Sequence, residues 1–320
     1  MRRHFFDAAP LPVLLLAAVA CNGGGNKSHD AGQDSSTDAD SDSDTDSDSG
    51  ADTDGGGDAG SDAGIPMTPA DYDAPTPLSW ALLYGGTFLQ GSESALSPAS
   101  YSETPAHDVT MPQFEMMTTE VTTSQYAQCV LADVCVEPLV AYGDGSAKNC
   151  NWLVWGREDH PVNCVNVSEA EAYCAWIEAR LASESEWEYA ARSCGQDNEY
   201  PWGDEDPCCD LAVMNAIDTD DGCDLGHTWP VCSKPAGNTE QALCDMAGNV
   251  KEWVQDCWYR DYYGAPTDGS AWVVGSCEDN VLRGGGCSNL NIGIRTRTRA
   301  YNPSFGRGDY MGFRCARSVE

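Results

Sequence analysis

Ser183-Glu184-Ser185-Glu186-Trp187-Glu188-Tyr189-Ala190-Ala191-Arg192 is the stretch on which the fold turns. It opens as a capping box: a serine at the cap and Glu186 three residues on, placed to satisfy two orphan amides reciprocally. Trp187, Ala190 and Ala191 then share one helical face, which predicts a short helix burying a single stripe. Upstream, Ser168-Glu169-Ala170-Glu171 forms a second box. Ala170, Tyr173, Cys174, Ile177 and Leu181 follow it at helical spacing, so a buried stripe containing Cys174 is expected. Thr122-Thr123-Ser124-Gln125 opens a third helix, with Gln125 closing on Thr122. Elsewhere Gly, Pro, Asn and aromatic residues alternate with short strand-like pieces such as Trp272-Val273-Val274 and Val281-Leu282-Arg283. The prediction is one loop-rich α+β domain over residues 76–320, held by covalent staples and buried tryptophans, with no internal repeat.

What precedes that domain is of another kind. Met1-Arg2-Arg3-His4 is followed by the apolar run Leu11–Ala20, too short for the roughly 20 residues a bilayer requires but of the form of a secretory signal. The run ends in small residues before Cys21, which resembles the lipobox of bacterial lipoproteins, although Ala18 stands where leucine is usual. Residues 1–21 are therefore expected to be a lipoprotein signal peptide with Cys21 lipidated; ordinary cleavage after Ala20 is the alternative. Asn22 after Cys21, rather than Asp, fits a protein exported to the outer membrane or surface of a Gram-negative cell. Between Asn22 and Pro66 there are twelve aspartates and one lysine with almost nothing apolar. Such a segment cannot bury enough surface to offset its ordering entropy, and its charges repel. Residues 22–75 are predicted to be a disordered acidic tether. Its Asp-x-Asp alternation has neither the turn glycine nor the closing glutamate of an EF-hand.

The 320-residue chain carries a net charge of −34, so phosphate backbones would repel it and nucleic acid is excluded as a partner. All of its sixteen cysteines except Cys21 lie between Cys129 and Cys315. In an oxidising compartment that density means disulfides. Proximity suggests Cys129–Cys135, Cys150–Cys164, Cys209–Cys223 and Cys232–Cys244, and an odd number leaves at least one thiol over. There is no Cys-x-x-Cys pair, and His107, His160 and His227 are not at ligand spacing, so a structural zinc site is not expected.

In order along the chain stand Thr119-Glu120-Val121-Thr122, His160-Pro161-Val162-Asn163-Cys164-Val165 and Ala172-Tyr173-Cys174-Ala175-Trp176. The stretch through Arg192 follows, then Pro201-Trp202-Gly203, Gly248-Asn249-Val250-Lys251-Glu252-Trp253, Leu282-Arg283-Gly284-Gly285-Gly286 and Gly312-Phe313-Arg314-Cys315. Together they resemble the formylglycine-generating enzyme, or sulfatase-modifying factor, family from about Leu78 to the C-terminus. The resemblance implies a loop-rich variation on the C-type lectin fold and a disulfide between Cys174 and Cys315. A second family disulfide would lack both halves, at Ala191 and near Thr298.

Enzymes of that family oxidise a sulfatase cysteine to formylglycine with molecular oxygen and copper held by two thiolates, soft ligands that select Cu(I). The family places these cysteines five apart, shortly after an Arg-Gly-Gly-Ser motif. Here Cys287 comes too early and no further cysteine follows until Cys315; Gly286 replaces the motif serine, and Lys251 replaces a tryptophan beside the site. The expectation is a domain without the family's oxidase activity, hence without copper. Cys287 is the residual catalytic candidate, working with a distant cysteine such as Cys277; the blander reading, favoured in so cysteine-rich a domain, makes it half of another structural disulfide. The resemblance also implies a structural calcium site at Asp245, the carbonyls of Gly248 and Val250, and the Glu252 carboxylate, since hard Ca²⁺ accepts oxygen ligands. A weaker second site would begin at Asn215 and the carbonyl of Ala216. The bland alternative leaves Asp245 and Glu252 solvated, or Glu252 bonded to backbone amides.

Three functions follow. The first is a surface binding module with a groove formed by Asn289, Arg295, Arg297, Arg299, Tyr301, Asn302 and Arg307. The three alternate arginines would share one face of an extended strand and offer it to an anionic ligand, unless they pair with scaffold carboxylates. The ligand would be a protein, a glycan or a small molecule. The second is a family oxidase with relocated ligands. The third is a structural component of an envelope complex.

Overall fold

The computed structural model describes residues 67–72, 75–93, 101–139, 149–215, 223 and 226–319. Cys21, the acidic segment and Ala216 lie outside the described residues. The strands are β1 (Trp80–Leu83), β2 (Gly86–Gln90), β3 (His107–Met111), β4 (Phe114–Met117), β5 (Arg180–Leu181), β6 (Lys251–Cys257), β7 (Asp279–Arg283), β8 (Ala300–Pro303), β9 (Met311–Gly312) and β10 (Cys315–Ser318). The helices are α1 (Thr123–Leu131), α2 (Val167–Trp176) and α3 (Glu184–Ala191). One antiparallel sheet has the order β1-β4-β10-β5, a second the order β8-β7-β6-β9, and β2 and β3 form a separate hairpin. In the second sheet only β6 and β9 run parallel, Lys251 opposite Met311. The alternation of buried and exposed residues along β1, β2 and β3 is that of strands covered on one face.

α3 joins the two sheets. Ser183 accepts the Glu186 amide and Glu186 returns to the Ser183 amide, as its sequence predicts. The prediction of one buried stripe does not hold, because all eight residues are buried. Trp187, Ala190 and Ala191 lie in an apolar cluster with Leu83, Phe114, Met116 and Val281. The acidic flank is buried against guanidinium groups instead of water: Glu186 on Arg180, Glu188 on Arg192 and Arg283, Glu184 on Arg299. Burial of charge requires such pairing, and partners distant in sequence supply it.

α2 begins two residues before its predicted box. Asn166 is the cap, accepting the Glu169 amide at 3.0 Å while the Glu169 carboxylate accepts the Asn166 amide at 2.8 Å. Asparagine caps as well as serine does, and the earlier start lets Val167 join the core. The helix stops at Trp176: Glu178 takes φ 58° and the Ala179 amide closes on the Cys174 carbonyl at 2.8 Å, an αL termination. Leu181 therefore belongs to β5 and not to the helical stripe. α1 keeps its Thr122–Gln125 box. Val281-Leu282-Arg283 is strand as expected, whereas Trp272-Val273-Val274 is not.

The domain starts earlier than residue 76. Met67 and Tyr72 are buried in the cluster that contains Tyr126, Trp152 and Tyr173, and the Tyr72 hydroxyl accepts the Leu153 amide at 2.7 Å. All four disulfides suggested by proximity form, as does Cys174–Cys315, which ties α2 to β10 across 141 residues of sequence. A sixth joins Cys257 to Cys277.

Candidate functional site

The turn leading into β6 carries the residues expected to hold calcium. Gly248 sits at φ 91°, and a Cβ there would lie 2.4 Å from the Val213 carbonyl oxygen; only glycine lets the two backbones approach so closely. Asp245 is buried and accepts the Cys232 amide at 2.6 Å. Glu252, also buried, accepts from the Arg314 guanidinium at 2.7–2.9 Å and from the Trp187 indole at 2.9 Å. It is neither solvated nor bonded to backbone amides. Arg314 spends its remaining N–H groups on the carbonyls of Cys244, Met117 and Thr118.

A third carboxylate, Glu120, closes the cluster, accepting from the Asn249 side chain at 2.6 Å and the Val250 amide at 3.2 Å. Burial, with Asp245 and Glu252 adding repulsion, raises Glu120 well above the ordinary carboxylate range. Asp245 is pushed up to about 6, again chiefly by burial. Three buried carboxylates thus face one guanidinium, a deficit of positive charge that a hard cation would offset. Among the described residues no three or more His, Cys, Asp or Glu side chains converge as a metal set, so backbone carbonyls would have to complete a calcium shell. Asp245 would be the ion's charged ligand, the Gly248 and Val250 carbonyls its neutral ones, and Glu252 would share its oxygens with Arg314. Of the second site, Asn215 is described and exposed. Sequence reading missed Glu120 and Arg314, although both lie inside the quoted motifs. Their roles depend on which carboxylate meets which guanidinium, and spacing along the chain does not encode that.

The copper site is different. Cys287 is not in a disulfide, and the Cys277 reading fails because Cys277 is bonded to Cys257. Cys287 is only 7% exposed, its amide donating to the Asn249 carbonyl at 2.8 Å. Burial first, then the Asp309 charge, pushes its thiol up to about 11. A thiol raised in this way is a poorer nucleophile and metal ligand than a free one. The other free thiol among the described residues, Cys194, lies beside Tyr189 and the Tyr84 backbone, in different surroundings. Among the described residues no second free thiol is placed beside Cys287, so they do not offer the paired thiolates that copper has in the family. Lys251 is half-buried over the Tyr310 ring at 5.1 Å, and burial lowers its amine.

The residues expected to line a groove are each engaged by other parts of the scaffold. Residues 291–294 make a 3₁₀ turn and no strand covers 295–299. Arg295 binds Glu103 and Glu199, Arg297 binds Asp197 and Glu199, Arg299 clasps Glu184 with two nitrogens, and Arg307 binds Glu169. Pairing with scaffold carboxylates, the alternative to an anion-binding face, is what these arginines show. Asn289 accepts the Gly286 amide, Tyr301 stacks on Trp258 at 4.6 Å, and Asn302 reaches the Tyr310 hydroxyl.

An open concavity lies at the start of α2. A cleft of about 530 Å³ runs between the start of α2 and the paired ends of β7 and β8, lined by Ser168, Glu278, Asp279, Ser304 and Phe305 among others.

Comparison with known proteins agrees with this architecture. The formylglycine-generating enzyme of Streptomyces coelicolor is 30% identical over 286 residues, covering 74% of this chain and 88% of that enzyme. Serine/threonine-protein kinase Pkn1 of Chlamydia trachomatis is 31% identical over 258 residues; the chain spans only 39% of the kinase's length. The structure of PvdO from Pseudomonas aeruginosa superposes with a TM-score of 0.63 at 28% identity, covering 77% of this chain and all of that one. Residues 72–319 match the sulfatase-modifying factor enzyme 1-like domain, and with the fold and motifs in agreement the chain belongs to that family.

Proposed function

We propose that the domain is a non-catalytic binding scaffold, displayed at the surface of a Gram-negative cell by an exported lipoprotein anchored through Cys21. The observation that carries this reading is Cys287: a buried thiol outside any disulfide, with no second free thiol placed beside it among the described residues, where family chemistry needs two converging thiolates. The test is oxygen consumption by the copper-loaded protein with a cysteine-containing peptide. The expected result is no turnover above free copper, identical for wild type and Cys287→Ser. Turnover that disappears in Cys287→Ser would sink the scaffold reading.

That outcome would instead establish the second reading, an oxidase with relocated ligands. What favours it is the 30% identity to a formylglycine-generating enzyme across 88% of that enzyme's length.

For either reading we propose a structural calcium ion at Asp245, Gly248, Val250 and Glu252. Saturating calcium should raise the melting temperature by about 5 °C, and Asp245→Ala should abolish that increment. Coincident melts in calcium and in chelator would rule the ion out.

A further inference from the structure

The cleft beside α2 continues into an adjoining recess of about 300 Å³ that shares Ser168, Cys277 and Ser304 with it. The result is an elongated groove. Its charged lining is of one sign: Glu278 and Asp279 in the first part, Glu171 in the second, with no Lys, Arg or His in either. None of the three carboxylates forms an ion pair among the described residues, whereas Arg180, Arg192, Arg283, Arg299 and Arg314 are each engaged by acids of the interior. The scaffold has spent its guanidinium groups elsewhere and left these acids uncompensated. Partial desolvation in the groove raises the Glu171 carboxyl above its ordinary range, although the residue as a whole is exposed.

The groove is also apolar at its edges. Phe305 is 75% exposed on one part and Val273 52% exposed on the other. An aromatic ring so placed gains free energy only from a partner that covers it. The positive end of α2 does not make this an anion site, because its first turn already carries Glu169 and Asn166 accepts the Glu169 amide. Charge disfavours a second copy of a chain with net charge −34 as the occupant.

We propose that this groove binds an extended polypeptide segment carrying lysine or arginine beside an apolar side chain. The proposal rests on the scaffold reading and names the partner class for it. The cations would meet Glu171, Glu278 and Asp279, and the apolar side chain would cover Phe305.

The test uses the full mature chain and a fluorescent peptide alternating lysine and phenylalanine, measured by anisotropy at physiological salt. The Asp-rich segment will itself attract basic peptide, so the readout is the difference between wild type and groove variants that carry the same segment. Glu171→Gln/Glu278→Gln/Asp279→Asn should weaken binding about tenfold, as for three exposed ion pairs. Phe305→Ala should weaken it about fivefold through lost apolar burial. All three acids and Phe305 lie at the surface, so the melting temperatures should stay at the wild-type value and confirm folding. Affinity unchanged in both variants would overturn the proposal. So would displacement of the peptide by spermidine at equal charge concentration, which would assign the site to small cations. Equal binding of a peptide alternating glutamate and phenylalanine would overturn it as well. Failure here without oxidase turnover leaves the scaffold reading standing, whereas turnover removes that reading whatever the peptide does.

Discussion

Arg314 and Glu252 show most plainly what single residues do in this domain. The guanidinium is almost wholly buried, and it meets both Glu252 oxygens and three carbonyls from two other parts of the chain. Removing one member of such a pair leaves the other charged and unsolvated, at a cost of about 3–5 kcal/mol. Arg314→Met should therefore lower unfolding free energy by that amount in urea titrations. Adding Glu252→Gln to it should cost much less than the two single changes summed, because the stranded charge is gone. An additive double variant would show that the two residues act independently.

Among the elements, α2 separates two readings of its start that look alike in sequence. Both Asn166 and Ser168 are cap-forming residues with an acid three positions on. Only the first is used, since starting at Val167 buries that side chain and brings Glu169 onto Arg307. Asn166→Ala should cost about 1 kcal/mol. Ser168→Ala, on an exposed side chain, should stay within about 0.5 kcal/mol. Thermal melts of the two variants decide between the caps, and the reverse order would place the helix start at Ser168. α3 teaches a related lesson. Its capping box was legible to the residue, but its burial on every side was not. Glu184, Glu186 and Glu188 are what a solvated face looks like until Arg180, Arg192, Arg283 and Arg299 arrive from elsewhere.

For the molecule as a whole, the long-range tie is Cys174–Cys315. In the chain-entropy account, closing a loop of 141 residues contributes about 5 kcal/mol, against roughly 2 kcal/mol for the six-residue Cys129–Cys135 loop. Cys174→Ala/Cys315→Ala should thus destabilise far more than Cys129→Ala/Cys135→Ala in chemical unfolding. Equal losses would mean that strain or residual structure outweighs loop closure.

By itself the sequence determined whatever is local or repeated in a fixed order: the caps at Thr122 and Ser183, the strand at Val281–Arg283, the four short-range disulfides and, through its ordered motifs, the family. It also showed that no second cysteine follows Cys287 at the family spacing. The tertiary structure alone decided what each charge meets. Arg295, Arg297 and Arg299 alternate as though displayed, yet they are held by Glu103, Glu199, Asp197 and Glu184. Glu171, Glu278 and Asp279 look no different in sequence, and among the described residues they have no ion pair along their groove. The physical reason is that a buried ion must find its counterion in space, from whatever segment the fold delivers, and chain spacing carries no record of that meeting.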